Sequence, residues 1–337
     1  MRSFFVSKLF FVCAAYLILG ITNASSQSFG VIDRVDPRVN QLIPPDAKLE
    51  KLAEGFDWTE GPVWIPNEKC LLFTDIPKNT IYKWKEGEGV SVYLRPAGYA
   101  GENPPGIELG ANGLMLGPDG QLVMCDHGNR CVSQLNAQNF TKKILADKFE
   151  GKRLNSPNDG IFKSNGDLYF TDPPYGLRGQ NKDPQKELTF NGVYRLSKDG
   201  KLTVLTKEFT FPNGIAFSPD EKTLYIAQSD PDKAIWMAFE VLHDGNIANG
   251  KILFDATSWV KQGKKGLPDG LKIDEAGNLY ATGPGGVIIF SPEGKHLGSI
   301  ETGEATSNCA FGDDGSVLYI TADMYLCRIK LSTKGKL

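Results

Sequence analysis

Asn158-Asp159-Gly160-Ile161-Phe162-Lys163-Ser164-Asn165-Gly166-Asp167-Leu168-Tyr169-Phe170-Thr171-Asp172 reads as a hairpin. An oxygen-bearing residue opens it, a short apolar strand follows, Ser-Asn-Gly turns the chain, and the second strand is aromatic and β-branched. The same grammar recurs along the chain. Six openers, Glu60, Asn112, Asn158, Asn213, Asp269 and Asn308, precede the anchors Leu72, Leu122, Leu168, Leu224, Leu279 and Leu318 by 12, 10, 10, 11, 10 and 10 residues. A third strand follows in every unit, and a fourth in the first five. Six units of roughly 50 residues each predict an all-β fold, a six-bladed β-propeller. The sixth unit lacks its fourth strand, whereas residues 49–52 form an unassigned apolar stretch ahead of the first unit. Ring closure by this N-terminal strand would complete the last blade and leave no open edge.

Strand direction sorts the connections. If each opener begins a strand running down, every turn between first and second strands lies on one face. The openers and the long Gly/Pro-rich connections 96–110, 173–190 and 256–267 lie on the other, as a lidded pocket would require.

Hydrophobic residues at 41% and charged residues at 23% describe an ordinary globular chain. A net charge of -3, from 37 basic and 40 acidic residues without a basic stripe, gives no footprint for nucleic acid. Arg2 and Lys8, the apolar run 9–21 and Thr22-Asn23-Ala24 have the form of an export signal. The run is short for a membrane span, and Cys13 lacks the small preceding residue of a lipoprotein site. The expected organisation is a signal peptide at 1–24, an extension at 25–46 and a propeller at 47–337. The expected product is exported, periplasmic or secreted, without stable membrane association once the signal is removed. That leaves five cysteines, an odd number for an oxidising compartment. Cys125 and Cys131 flank a hairpin tip and are either a disulfide or two small buried hydrophobes.

In a radial arrangement the openers converge on one axis. Hard-oxygen donors meeting there suit calcium, which takes six to eight oxygens. Zn2+ would want histidine or cysteine, and His127, His243 and His296 show no ligand spacing. For a single Asn-Gly or Asp-Gly the alternative is a plain turn residue; six in register favour a site, with Asn112 and Asn308 its weaker members.

The chain also resembles a known family. Glu60-Gly61-Pro62-Val63-Trp64, Asn158-Asp159-Gly160, Phe211-Pro212-Asn213-Gly214 and Pro268-Asp269-Gly270 are similar to motifs of the senescence marker protein/gluconolactonase/luciferin-regenerating enzyme family. The resemblance runs from about residue 49 to 329. It implies a calcium-dependent propeller hydrolysing a sugar lactone such as glucono-1,5-lactone. Glu60, Asn213 and Asp269 would ligate the metal, with Asn158 a fourth ligand or a substrate contact; Mg2+ or Zn2+ could replace Ca2+. Cys125-Asp126-His127-Gly128-Asn129-Arg130-Cys131 resembles a hairpin of bacterial members, departing at Asp126 and Cys131.

In this reading Asp269 is the leading catalytic base and His127 the second, on the pocket face. Asn112, Asn158, Tyr175 and Arg178 are candidate substrate contacts; Asp75 and Asp172 read as strand-end caps. Competing readings are an organophosphate hydrolase with similar ligands and a secreted, non-enzymatic binding propeller. Oligomeric state is open.

Overall fold

The computed structural model describes residues 29–104 and 106–336; the expected export signal lies outside them. Six four-stranded antiparallel units follow in chain order. Blade one comprises Thr59–Ile65, Cys70–Asp75, Thr80–Lys85 and Gly89–Leu94. Blade two is Ala111–Leu116, Leu122–Asp126, Cys131–Leu135 and Lys142–Ala146, and blade three Gly160–Phe162, Leu168–Asp172, Gly192–Leu196 and Leu202–Thr206. Blade four spans Pro212–Phe217 through Ile247–Asp255, and blade five Leu271–Ile273 through His296–Glu301. Blade six has Thr306–Gly312, Val317–Ala322 and Tyr325–Lys330.

The circle closes as the missing strand requires. Glu50–Glu54 pairs antiparallel with Tyr325–Lys330, Glu50 opposite Arg328 and Glu54 opposite Tyr325, and so becomes the outer strand of blade six. Inner strands contact one another in sequence from blade one to blade six and back to blade one, which makes the ring continuous. One strand was not anticipated. Val31–Arg34 pairs with His296–Glu301 as a fifth, outermost strand on blade five.

Hydrophobic clusters fill the seams between blades, because each sheet is apolar on both faces. At the seam between first and last blades Trp64, Leu71, Phe73 and Trp84 pack with Ala310, Tyr319 and Leu326. The Trp64 and Tyr319 rings stack there with centroids 5.5 Å apart and planes 16° from parallel. The short helices Val39–Leu42 and Thr257–Lys261 are peripheral to the sheets. Among the described residues no helix is long and apolar enough to cross a membrane.

Register decides the cysteine question. Cys125 sits opposite Val132 and Cys131 opposite Asp126, so the two sulfurs leave opposite faces of the sheet. Of the two readings open from sequence, the register selects two small buried hydrophobes with separate thiols; all five cysteines among the described residues are free and buried.

Candidate functional site

Five of the six openers line one pocket of about 480 Å³ at the axis: Glu60, Asn112, Asn158, Asn213 and Asp269. The long connections close around them, supplying Glu108 from 96–110, Tyr175 from 173–190, and Val260, Gly266 and Leu267 from 256–267. Short turns between first and second strands contribute none of the lining, as the strand-direction argument requires.

Glu60 and Asn213 are held close to the next blade by the glycines that follow them. A Cβ on Gly61, whose φ is +48°, would lie 2.0 Å from the Asn112 carbonyl oxygen. On Gly214 it would lie 2.1 Å from the Asp269 carbonyl oxygen. At these two positions the residue after the opener rests on the backbone of the next blade, and only glycine permits the approach. Carboxylates at the ends of second strands fix the approach to the ring. Asp75 accepts from the Asp57 N–H at 3.1 Å, and Asp172 accepts from the Asn155 and Ser156 N–H groups at 2.8 Å. Those cap roles match the reading of Asp75 and Asp172 from sequence.

Four acceptor oxygens at this pocket have no hydrogen-bond partner although they are buried: Asn112 Oδ1, Asn158 Oδ1, Asn213 Oδ1 and Asp269 Oδ1. Two of the amides are anchored through nitrogen, so that oxygen is left over. Asn213 Nδ2 donates to Ser229 Oγ at 2.9 Å, and Asn112 Nδ2 lies 3.3 Å from His127 Nε2. Buried polar groups are seldom left unpaired. A convergent set of them, all acceptors, fits a cation.

Charge at the ring is crowded. Burial, then the neighbouring Asp159 carboxylate, push the Glu60 carboxyl up to about 7, against the Gly61 N–H and the Asn308 amide, which favour ionisation. Asp269 is raised well above the ordinary carboxylate range by burial and by Glu60. Sequence reasoning passed over Asp159, which is buried directly after its opener and raised by the same desolvation. Asn308 does not line the pocket; its Nδ2 donates to Glu60 Oε2 at 3.0 Å and Asp159 Oδ2 at 3.3 Å. Among the described residues no three His, Cys, Asp or Glu side chains gather as ligands of one ion. The donor set is instead two carboxylates with amide oxygens.

Two expected residues sit elsewhere. His127 is fully buried and does not line the pocket: Nδ1 lies 2.7 Å from Glu108 Oε2 and Nε2 faces Asn112, so both ring nitrogens are engaged in hydrogen bonds at the hairpin tip. Arg178 is exposed and outside the lining. Tyr175 does line it, its ring stacked on Phe211 at 5.7 Å and its buried hydroxyl without a hydrogen-bond partner. Glu108 was missed because nothing in loop 96–110 marks it in sequence.

Comparison with known proteins places this geometry. Residues 58–323 match the family model described as SMP-30/Gluconolactonase/LRE-like region. The chain belongs to this family. Among SMP-30/gluconolactonase relatives, a gluconolactonase of Zymomonas mobilis is 39% identical over 93% of this chain and 89% of its own length. Regucalcin of Xenopus laevis is 29% identical, over 80% of this chain and 85% of that one. The structure of a Xanthomonas campestris gluconolactonase superposes with a TM-score of 0.77 at 31% identity, covering 89% of this chain and 94% of that chain.

Proposed function

We propose that this pocket hydrolyses a sugar lactone, glucono-1,5-lactone or a close analogue, with a divalent cation, calcium, held by Glu60, Asn158, Asn213 and Asp269. The observation that carries the reading is the set of unpartnered, buried acceptor oxygens on the axis. The gluconolactonase relatives, one of them aligned over 93% of this chain, support the reaction class. Oxygen donors without sulfur or imidazole favour calcium or magnesium over zinc.

Lewis acidity toward an ester carbonyl is what such an ion supplies when bound. The protein's own contribution is placement and proton handling. Asp269 is the candidate base: it lines the pocket with a buried, unpartnered oxygen, and an oxygen left free of the ion would be placed to accept a proton from attacking water. Tyr175 offers the buried, unpartnered hydroxyl as a donor to a substrate oxygen. Asn112 Oδ1 offers an acceptor to a sugar hydroxyl. Trp58, Ile76, Val260 and Leu267 give the pocket apolar walls that exclude bulk water.

A panel of glucono-1,5-lactone, other aldonolactones and a phosphotriester, assayed with calcium, magnesium, zinc and chelator, tests this. Metal-dependent lactone turnover is the expected result. No lactone turnover under any metal would remove the proposal, and turnover of the phosphotriester alone would replace it with ester cleavage at phosphorus.

A further inference from the structure

Glu108 lines the pocket, yet the hydrolytic reading gives it no task. It reaches the wall from loop 96–110, and its Oε2 lies 2.7 Å from His127 Nδ1. The other ring nitrogen faces Asn112 Nδ2 at 3.3 Å. An amide nitrogen donates, so Nε2 carries the lone pair and Nδ1 the proton that Glu108 accepts. One buried imidazole thereby fixes two pocket groups: the Glu108 carboxylate and the Asn112 amide, whose Oδ1 is left without a partner. The Glu108 side chain keeps 31% of its surface exposed while lining the pocket.

The second observation is the sign of the wall. Among the described lining residues are three carboxylates, Glu60, Glu108 and Asp269, and no lysine or arginine. A divalent cation between Glu60 and Asp269 would cancel those two charges, leaving Glu108 uncompensated. Pockets that take phosphate or carboxylate groups present arginine or lysine instead.

We propose that Glu108, positioned by His127, makes the pocket selective for neutral, polyhydroxylated lactones. It binds a substrate hydroxyl and repels lactones carrying a phosphate or a free carboxylate. The proposal rests on the lactone-hydrolase reading of the same pocket. An ionised carboxylate only accepts hydrogen bonds, which matches a hydroxyl and opposes a second anion.

The test compares glucono-1,5-lactone with 6-phosphoglucono-1,5-lactone, which share a ring and differ in charge, using the full chain loaded with calcium. Wild type should favour the neutral substrate by at least about tenfold in kcat/KM. Glu108→Gln should raise KM for the neutral lactone and narrow the ratio by about tenfold. His127→Gln should move the ratio the same way by a smaller factor. General loss of fold would lower both substrates alike, so the ratio separates positioning from damage; Glu108→Ser provides a second variant. An unchanged ratio in folded Glu108→Gln would overturn the proposal. Should wild type hydrolyse neither lactone, calorimetry with glucono-1,5-lactam and its 6-phosphate decides. Preference for the neutral lactam that Glu108→Gln abolishes would keep Glu108 as the selector while the hydrolase reading falls. No preference in wild type would discard the selector as well.

Discussion

Asn308 Nδ2, in the last blade, donates to Glu60 Oε2, in the first, across 3.0 Å of space and 248 positions of sequence. The same amide reaches Asp159 Oδ2 at 3.3 Å. One neutral side chain thus bridges two buried carboxylates, Glu60 at the seam where the ring closes and Asp159 at the inner strand of blade three. Asn308→Ala removes the donor from both, and unfolding free energy should fall by about 1–3 kcal/mol in chelator. Asn308→Asp should be worse without metal, because it adds a third like charge. Denaturant titration with and without calcium checks both; equal stability of wild type and Asn308→Ala would show that the bridge is idle.

Metal removal should make stability depend on pH in a defined direction. Burial raises Glu60 to about 7 in the folded chain, above its value in an unfolded one, and Asp269 is raised as well. The folded apoprotein therefore binds more protons than the unfolded chain between about pH 4.5 and 7. This stabilising contribution is fully present below the unfolded pKa and is lost as pH rises through 7. Tm in chelator should fall over that window. Calcium should reverse the trend, since it replaces the protons, and its affinity should rise with pH by up to about tenfold per unit for each proton displaced. Calcium at a hundredfold excess over Kd adds about 2.7 kcal/mol. A Tm indifferent to both pH and calcium would contradict the charge assignment.

Asp269→Asn separates activity from stability. Turnover of the lactone should drop by about 10²–10⁴-fold, whereas the chelated protein should become more stable at pH 8, because a buried charge beside Glu60 has been removed. Initial rates and thermal melts on the same preparation test the pair. Retained activity would exclude Asp269 as the base.

Gly214→Ala probes the contact between neighbouring blades. The added methyl would meet the Asp269 carbonyl at 2.1 Å, so the inner strands of blades four and five must part. The expected cost is about 1–3 kcal/mol, together with weakened calcium binding. A parallel Gly120→Ala, at a turn with open space around it, should leave calcium binding alone.

The blades were legible because each repeats the same opener, turn and anchor, and because one strand was missing at one end and spare at the other. The convergence of Glu60, Asn112, Asn158, Asn213 and Asp269 on one pocket follows from that repeat alone. What sequence hid lies off the repeat. Val31–Arg34 has only four residues and too little alternation to announce a strand. Glu108 comes from an irregular loop, and its position depends on a partner 19 residues away. His127 sits at a hairpin tip on the expected pocket face, but loop 96–110 covers it and holds it away from the lining. The choice between a Cys125–Cys131 disulfide and two buried thiols turned on a shift of one residue, which in a strand reverses the face and which sequence left open.

Blade six waits for both ends of the chain. Its outer strand, Glu50–Glu54, emerges from the ribosome some 270 residues before the Tyr325–Lys330 strand that receives it. Until then that segment has no sheet to join, and the seam bearing Glu60 and Asn308 stays open. Closing the seam therefore needs residues from both ends of the described chain, and chains truncated before Tyr325 should leave Glu60 without its complete neighbouring blade.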